Sequence, residues 1–316
     1  MIDLHTHSTV SDGSEPPGRI VELAAAAGCT ALALTDHDSL AGLEEAGRVA
    51  ADLGVRLVPG CEVSCRKPAP PPGAPRIEGS VHVLVYFVEP GKGPLQDELL
   101  KLRGDRAVRN RELAARLVEL GTGVTYEDVL AEAGDEAGIG RPHFARALVK
   151  AGAADDIDDA FDRWLADGRP GYVPKARLDP SDVARLAHQS GGLAVMAHPL
   201  STGLGPRHLE RLVAELAAGS GSGDGGPTGE ARRTGEARRT GGTNGADGID
   251  GIEAVYSSYT PDQRAMLRRM AARHGLVATG GSDFHGSFKT GLYVGTGRGD
   301  LNVPDEVLQA LEERRR

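Results

Sequence analysis

Short apolar runs alternate with longer amphipathic stretches along most of the chain. The runs predict seven strands, which are Ile2–Leu4, Ala31–Leu34, Val55–Val58, Val81–Phe87, Leu193–Met196, Gly251–Val255 and Leu276–Ala278. Helical periodicity predicts helices over Pro16–Ala27, Leu40–Leu53, Ser181–Gln189, Pro206–Ala217 and Pro261–His274, with Ser181 as an N-cap. A strand followed by a helix, repeated, predicts a parallel sheet with crossover helices, and seven strands favour a closed barrel.

Residues 95–170 break this rhythm, because they contain no convincing strand. They predict four helices, which are Leu95–Leu120, Tyr126–Ala133, His143–Ala151 and Asp156–Asp167. We interpret them as a helical subdomain inserted into an α/β body, whose two parts are residues 1–94 and 171–316. Inside the second part, Gly219–Gly248 contains a tandem TGEARR repeat and predicts a flexible low-complexity linker. The proline-rich stretch Lys67–Pro75 predicts an extended surface loop.

Composition narrows the classes of protein. Hydrophobic residues make up 40% of the 316 residues, which is enough for a buried core. No apolar run approaches the ~20 residues that span a bilayer, and the start MIDLHTHS has no apolar signal segment, so we expect a cytoplasmic protein without membrane contact. Three cysteines do not make a disulfide framework. The net charge of -9 argues against an extended surface for duplex nucleic acid, yet bound metal ions can still attract a phosphate substrate.

Histidines and carboxylates are concentrated where the predicted strands end. Because strand residues i and i+2 share a face, His5 and His7 can reach one metal ion. Catalytic groups of parallel barrels lie at the carboxyl ends of the strands, so repetition of such residues at five strand ends predicts a metal site there. The candidates are His5, His7, Asp12, Asp36, His37, Asp38, Glu62, His82, His198, Asp283 and His285.

Other chemistries fit the sequence poorly. It contains no GxSxG elbow, no GxxxxGK[ST] loop, no CxxC pair and no glycine-rich dinucleotide fingerprint after the first strand. Cys61 precedes Glu62 on a strand, so its side chain is expected to point the other way, into the core. Three further histidines lie in predicted helices among charged neighbours and are interpreted as solvated surface residues: His188, His208 and His274.

These residues, in this order, resemble the PHP (polymerase and histidinol phosphatase) family. The resemblance rests on DLHTHSTVSDG, LALTDHD, PGCEVS, HVLVYF, AVMAHP and GGSDFHG. It is closest to bacterial members that act on nucleoside 3′,5′-bisphosphates and as 5′–3′ exoribonucleases on short RNA. Those members carry a helical insertion after the fourth strand and segments similar to GRPHFARALV at 140–149, GYVPK at 171–175 and IEAVYSSYTPDQ at 252–263.

The resemblance implies a distorted (β/α)7 barrel that holds two or three divalent metal ions. Carried over by motif, His5, His7, Glu62 and Asp283 would bind one ion. Glu62 would bridge to a second ion, held also by His82 and His198, and the third would be held by Asp12, His37 and His285. This mixture of nitrogen and oxygen donors suits Mn, Fe or Zn better than Mg or Ca.

The implied activity is metal-dependent hydrolysis of a phosphate ester by a hydroxide that bridges the ions. The expected substrate is a nucleotide, either a 3′,5′-nucleoside bisphosphate or the 5′ end of a short RNA. Two alternatives stay open. One is a histidinol-phosphatase-like or other small-molecule phosphatase. The other is a non-catalytic metal-binding accessory module, against which the complete set of ligands argues.

The helical insertion is expected to act as a lid that selects the substrate. Arg141 and His143 flank a proline at a predicted helix start, where free backbone N–H groups favour an anion. Arg141, His143, Lys175 and Lys289 are therefore expected to bind the substrate. The expected catalytic residues are Asp283, His198 and His143, the last as a proton donor to the leaving oxygen. For His143 the alternative is a helix-capping residue packed against the barrel, and for Arg141 a surface ion pair.

Overall fold

We describe the fold from a computed structural model of the chain. The structure describes residues 1–69, 73, 75–133, 139–219 and 247–315. The predicted linker Gly219–Gly248 lies outside the described residues except at its two ends, and the predicted proline-rich loop is described only in part. Among the described residues, no helix combines the length and the apolar character that crossing a bilayer requires.

Seven strands form one sheet in which the spatial order follows the chain order. They are β1 (Ile2–Asp3), β2 (Ala31–Leu34), β3 (Arg56–Ser64), β4 (His82–Tyr86), β5 (Leu193–Met196), β6 (Gly251–Tyr256) and β7 (Val277–Gly281). The chain after β1 returns to β7, because Leu4 N donates to Gly280 O at 3.2 Å and Asp283 N donates to His5 O at 2.8 Å. These bonds nearly close the sheet, which confirms the predicted distorted (β/α)7 barrel.

The expectation of an all-parallel sheet is wrong at one strand. β4 is antiparallel to both β3 and β5, whereas the other pairs are parallel. An apolar run records that a strand is buried and says nothing of its direction, so the pattern could not show this reversal. The reversal has a consequence for the site. The first residue of β4, His82, lies at the barrel edge where the parallel strands have their last residues.

The described part of the chain contains ten α-helices. They are α1 (Pro17–Ala26), α2 (Leu43–Leu53), α3 (Pro94–Glu119), α4 (Tyr126–Ala133), α5 (Arg141–Lys150), α6 (Ile157–Ala160), α7 (Pro180–Gln189), α8 (Pro206–Ala218), α9 (Pro261–Arg273) and α10 (Glu306–Arg315). The N-cap of α7 is Asp179, with Pro180 as the first helical residue, so the prediction of Ser181 as an N-cap is wrong. α10 was not predicted, because its exposed positions weaken the apolar periodicity.

The strands are buried on both faces, and alternate residues enter two apolar clusters. Leu32 and Leu34 of β2 pack in an outer cluster with helix residues such as Ile20 and Leu267. Ala31 and Ala33 of the same strand pack in an inner cluster with residues from opposing strands, as the two-residue period of a strand requires. Leu308 and Leu311 of α10 join the inner cluster and cover the barrel end where the strands begin.

The described residues between 94 and 165 contain four α-helices, α3 to α6, and no strand, as the sequence predicted. α3 spans 26 residues and belongs to two packing units. Its first half packs on the barrel through Leu95 and Leu99, and its second half contributes Leu113 and Leu117 to a separate cluster with α4 and α5. The predicted last helix of the segment is shorter, because α6 passes into a π-helical turn at Phe161–Leu165. The division of the chain into a barrel and an inserted subdomain stays a prediction.

Gly281 is where the barrel closure is tightest, and we expect its replacement by alanine to destabilise the fold. A Cβ at Gly281 would lie 2.4 Å from Cβ of His5, so Gly281→Ala should lower the free energy of unfolding by about 1–3 kcal/mol. Gly104→Ala is the matched control, because it lies within α3 with no atom within 4 Å of the added Cβ. It should raise stability by about 0.5–1 kcal/mol. Urea unfolding measures both, and equal midpoints for Gly281→Ala and the wild type would contradict the tight closure.

Candidate metal centre

All nine predicted metal ligands lie at one edge of the barrel. Six strands supply them or lead directly into them. His5 and His7 follow β1, His37 follows β2 and His198 follows β5, while Glu62 lies within β3 and His82 begins β4. Asp283 and His285 follow β7, and Asp12 lies in the loop before α1. Three overlapping groups of their donor atoms are close enough to hold a metal ion.

The first group consists of His5, His7, Glu62 and Asp283, which are all buried. Nε2 of His5 and Nε2 of His7 are 3.1 Å apart. Each of these nitrogens lies 3.2–3.4 Å from Oε2 of Glu62 and from Oδ1 of Asp283. Metal–ligand bonds of about 2.0–2.2 Å place adjacent donors roughly 3.0–3.5 Å apart, so these separations fit a common metal ion.

The second oxygen of Glu62 faces two further imidazoles. Oε1 lies 2.8 Å from Nδ1 of His82 and 3.0 Å from Nε2 of His198. Glu62 therefore presents one oxygen to each of two neighbouring groups, as a bridging carboxylate requires. The second donor group consists of Glu62, His82 and His37, whose Nδ1 lies 3.2 Å from Oε2 of Glu62. His198 contacts Glu62 but lies outside the three donor groups.

Asp12 forms the third group with His7, His37 and His285. Nε2 of His285 lies 3.3 Å from Oδ1 of Asp12, and Nε2 of His37 lies 3.7 Å from Oδ2. Oδ1 of Asp12 and Nδ1 of His37 are buried without a hydrogen bond in the described part of the chain, although charged groups lie nearby. Buried polar atoms are almost always paired, so these two atoms fit a site that a cation completes. The assignment of each ligand to a particular ion stays a prediction.

The electrostatics of this edge favour ionised carboxylates. Burial alone would raise the pKa of Asp283, but Lys289 and the neighbouring imidazoles hold it well below its usual range. Burial likewise opposes ionisation of Glu62, and the imidazoles packed around its two oxygens keep its pKa well below the usual value. The imidazoles themselves differ, because burial lowers the pKa of His37 to about 3, whereas hydrogen bonds to Asp283 and Glu62 outweigh burial at His7 and raise its pKa to about 9.

Three residues at this edge have strained backbones. Among the described residues, four that are not glycine adopt left-handed φ angles, and three of them are Asp38 (52°), His198 (26°) and Asp283 (55°). Such conformations cost about 1–3 kcal/mol each and persist where surrounding contacts enforce them. Here the strain turns two predicted ligands towards the cluster at the points where β5 and β7 end.

Several buried or half-buried residues that are not among the nine predicted ligands support them. Oδ1 of Asp36 accepts hydrogen bonds from Ser8 N and Ser11 Oγ, both at 2.7 Å, which fixes the loop between His7 and Asp12. Tyr256 donates to Oδ2 of Asp283 at 2.7 Å. Glu253, within β6, accepts from His5 and is considered below. For Glu253 the sequence did contain a signal, because an acidic residue within a run of apolar strand residues is unusual.

Cys61 is fully buried in the outer cluster, as predicted, and burial raises the pKa of its thiol. His188 is not simply solvated, because its Nε2 lies 2.8 Å from Oδ2 of Asp250. His274 is half-buried, with its Nε2 3.6 Å from Glu210. The interpretation of the helix histidines as plain surface residues is therefore wrong for His188.

Of the four predicted substrate-binding residues, two line a cleft beside the cluster. Arg141 and Lys175 face a cavity of about 200 Å³ whose other walls include Asp12, His37 and His82. Lys289 lies on the opposite side of the cluster, where its Nζ contacts Oδ2 of Asp283. It borders a second cavity of about 480 Å³ together with Tyr256 and Tyr259.

His143 is placed differently. Its Nδ1 accepts a hydrogen bond from Gly140 N at 3.1 Å and so satisfies the N–H group of the residue that precedes α5. Its ring packs edge-on against Phe288, 5.4 Å between centroids, and it does not line the cleft. This geometry is that of the capping alternative, and a catalytic role for His143 stays a prediction.

Three arginines of the cleft were missed from sequence. Arg106 and Arg109 of α3 and Arg177 join Arg141 and Lys175 in the cleft wall. Arg106 and Lys175 both pair with Oδ2 of Asp38. Arg109 is 7% exposed and has no ion pair or hydrogen bond from its side chain among the described residues. The helical period of α3 could have shown that Arg106 and Arg109 share a face, but not that this face meets the cluster.

Comparison with known proteins agrees with this geometry. The PHP domain family model matches residues 3–166. A 3′,5′-nucleoside bisphosphate phosphatase from Chromobacterium violaceum is 32% identical over 294 residues, which cover 93% of this chain and 90% of the relative. A 5′–3′ exoribonuclease from Haemophilus influenzae is 30% identical over 315 residues, covering 98% of each. The crystal structure of a protein described as a metal-dependent phosphoesterase, from Bifidobacterium adolescentis, has a TM-score of 0.76 at 28% identity and covers 99% of this chain and 96% of that one.

Replacement of Asp283 by asparagine should preserve the fold and remove most of the bound metal. The amide is a neutral, poorer ligand of the same shape, so metal affinity should fall by at least about tenfold. Metal analysis after gel filtration measures this, with circular dichroism to check the fold. His208→Ala is the control, since His208 lies on α8 outside the three donor groups. Wild-type metal content in both Asp283→Asn and His7→Ala would contradict the assignment.

Proposed function

The chain belongs to the PHP family and is a metal-dependent phosphoesterase, and we propose that its substrate is a nucleotide carrying two phosphate groups. The form best supported is a 3′,5′-nucleoside bisphosphate. One phosphate would lie at the metal centre and be hydrolysed, and the other would be held in the cationic cleft. The relatives that cover most of the chain are named as a phosphatase and an exoribonuclease, which argues against the alternative of a non-catalytic accessory module.

The observation that carries the proposal is the cluster of cations in the cleft wall. Five cationic side chains, from Arg106, Arg109, Arg141, Lys175 and Arg177, line a cavity that also touches three predicted metal ligands. Asp38 pairs with only two of the five, and Nε of Arg109 is buried without a partner. Uncompensated guanidinium groups at a cleft suit a phosphate, because their planar fork binds its oxygens in pairs. A substrate with a single phosphate would leave them without a partner.

The eight residues of the three donor groups, together with His198 beside Glu62, would hold two or three ions, and Mn, Fe or Zn suits their mixed donors. When bound, the ions lower the pKa of water towards neutrality and offset the charge of the reacting phosphate. The chain's own groups orient the reaction. Lys289 and Tyr256 both contact Oδ2 of Asp283 and so hold that carboxylate in place. The arginines of the cleft neutralise the distant phosphate and fix its distance from the cluster.

A second candidate substrate is the 5′ end of a short RNA. The observation in its favour is that the two cavities meet at the cluster, since both are lined by His37, Ser80 and His82. A chain could therefore enter from one cavity and continue into the other. A histidinol-phosphatase-like activity gains no support from the cleft, since a single small phosphate ester uses only the metal centre.

Hydrolysis of matched substrates, measured as released phosphate for the monoesters and as released mononucleotide for the RNA, tests the proposal. The panel is adenosine 3′,5′-bisphosphate, adenosine 3′-phosphate, adenosine 5′-phosphate, a 5′-phosphorylated oligoribonucleotide, histidinol phosphate and an aryl phosphate. The bisphosphate should have the highest kcat/KM. A preference for histidinol phosphate, or equal values for the bisphosphate and both monophosphates, would overturn the proposal.

Removal of a cleft arginine should affect the bisphosphate selectively. Arg109→Ala and Arg141→Ala should each lower kcat/KM for the bisphosphate. The fall should correspond to a loss of about 1.5–3 kcal/mol of transition-state binding free energy, the usual range for a charge-assisted hydrogen bond. Turnover of an aryl phosphate should stay near the wild-type value, because that substrate reaches only the metals. Arg116→Ala is the matched control, an arginine of the same helix on its exposed side. Equal losses on both substrates would indicate a structural role, and no loss on either would remove these residues from the site.

Binding of the bisphosphate in the cleft should also depend on pH, through the charge of Lys175. Burial lowers the pKa of Lys175 to about 7, and Arg106 and Arg109 add to this effect although Asp38 opposes it. Because the ammonium group is charged below that pKa, its attraction for phosphate should weaken as pH rises from 6 to 8.5. KM for the bisphosphate should therefore rise several-fold in the wild type, up to about tenfold per pH unit. Lys175→Arg retains its charge throughout, so KM should rise less in this variant, and parallel KM profiles would contradict the assignment.

A further inference from the structure

Glu253 lies within β6 and is fully buried, yet it is not among the predicted metal ligands. Both carboxylate oxygens of Glu253 contact a polar group. Oε1 lies 3.0 Å from Nδ1 of His5, and Oε2 accepts a hydrogen bond from the backbone N–H of His198 at 2.7 Å. A single carboxylate therefore contacts two predicted ligands that approach the cluster from β1 and β5.

We propose that Glu253 is a positioning residue of the metal centre, which orients His5 through its ring and His198 through its backbone. The inference rests on the proposed metal centre and not on the identity of the substrate. It gives β6 a part in the site, because β6 is the one strand of the seven that supplies none of the nine predicted ligands.

The contact with His5 determines which ring nitrogen is free. A carboxylate only accepts hydrogen bonds, so Nδ1 of His5 must carry the proton. The lone pair of the neutral ring is then on Nε2, the atom that lies 3.1–3.4 Å from the donor atoms of His7, Glu62 and Asp283. Carboxylate partners of this kind orient metal-binding imidazoles and raise their basicity.

The contact with His198 supports a strained backbone. His198 has a φ of 26°, and its N–H group is held by Oε2 of Glu253 while its Nδ1 lies 2.8 Å from Oγ of Ser201. These two anchors, one on each side of the residue, direct Nε2 towards Oε1 of Glu62 at 3.0 Å. Without the first anchor, the left-handed backbone would lose the contact that offsets its strain.

The local strand geometry explains why Glu253 points into the barrel. Ile252 and Ala254 pack in the outer cluster, so the alternation along β6 directs Glu253 and Val255 to the inner side. The register between β6 and β7 also shifts between Glu253 and Val255. Such irregularities occur beside active sites, where they redirect a side chain.

A purely structural tie between three strands is the alternative, and the chain offers a matched control for it. Asp250, at the start of β6, is also buried and also pairs with a histidine, since Oδ2 lies 2.8 Å from Nε2 of His188. The same oxygen accepts from the backbone N–H of Ala194 at 2.9 Å. The two carboxylates make the same kinds of contact at opposite ends of the barrel, and only Glu253 adjoins the metal centre.

The test compares Glu253→Gln with Asp250→Asn, using Zn²⁺ or Mn²⁺ alone and no substrate. Metal affinity is measured by competition with a chelator, and the stability of the metal-free proteins by urea unfolding. We expect Glu253→Gln to lower metal affinity by about 10–100-fold, and Asp250→Asn to leave it within about twofold. Both variants should lose comparable stability in the metal-free state. Glu253→Asp retains the carboxylate but shortens its reach, so its metal affinity should lie between those of the wild type and Glu253→Gln. This variant replaces Glu253→Gln in the test if the glutamine variant does not fold.

Unchanged affinity in Glu253→Gln, or in Glu253→Asp if only that variant folds, would overturn the positioning role. An equal fall in the metal affinity of Asp250→Asn would also overturn the positioning role, because the effect would then be one of general stability. If the wild type bound neither ion, the metal centre itself would be wrong and this inference would fail with it. Failure of the proposed substrate is separate, since it would alter the phosphate-release panel and leave the order of metal affinities intact.

Discussion

The site depends on one buried carboxylate, Glu62, on which five imidazoles converge. Its Oε2 lies within 3.4 Å of His5, His7 and His37, and its Oε1 within 3.0 Å of His82 and His198. These five imidazoles come from four different strands or strand ends, β1, β2, β4 and β5, so contact with a single side chain of β3 requires the barrel to bring those ends together. A buried group of this charge and density is costly unless its members pair with one another or with metal ions. The barrel, the strained backbones and the supporting carboxylates all serve to hold these donors at one place.

The distortion of the barrel follows from the same requirement. In a regular parallel barrel only the last residues of the strands reach the catalytic edge. β4 runs in the opposite direction, so its first residue, His82, reaches that edge and meets Oε1 of Glu62. The reversed strand also needs no crossover helix, and none lies between β3 and β4 in the described part of that connection. β6 contributes differently, through Glu253 and Tyr256, which contact ligands from neighbouring strands.

In the function proposed above, reaction class and substrate choice have separate structural origins. The barrel edge supplies the donors for metal, whereas the cations of the adjoining cleft come from α3, the start of α5 and the segment 175–177. α3 connects the barrel edge to the cleft, because its first half packs on the barrel and its second half packs against α4 and α5. Arg106 and Arg109 lie at the middle of α3, where these two packing units meet. A change in the helical segment can therefore alter the substrate without disturbing the metal centre, as is common where one fold serves several activities.

The sequence by itself determined the seven strands and most of the helices, because these depend on local information. It also predicted eleven candidate ligands near the strand ends, of which the family resemblance selects nine. Apolar runs indicate buried strands, and His-x-His after a strand places two imidazoles on one face whatever the rest of the chain does. The tertiary structure decided what depends on direction and distance. The reversal of β4 and the convergence of five arginine and lysine side chains on one cleft were not readable from spacing, and spacing left both the capping and the catalytic alternative open for His143. Nor was the role of Glu253, whose partners His5 and His198 are 248 and 55 residues away in the chain. Contacts over such separations exist only once the barrel has closed, and no local pattern encodes them.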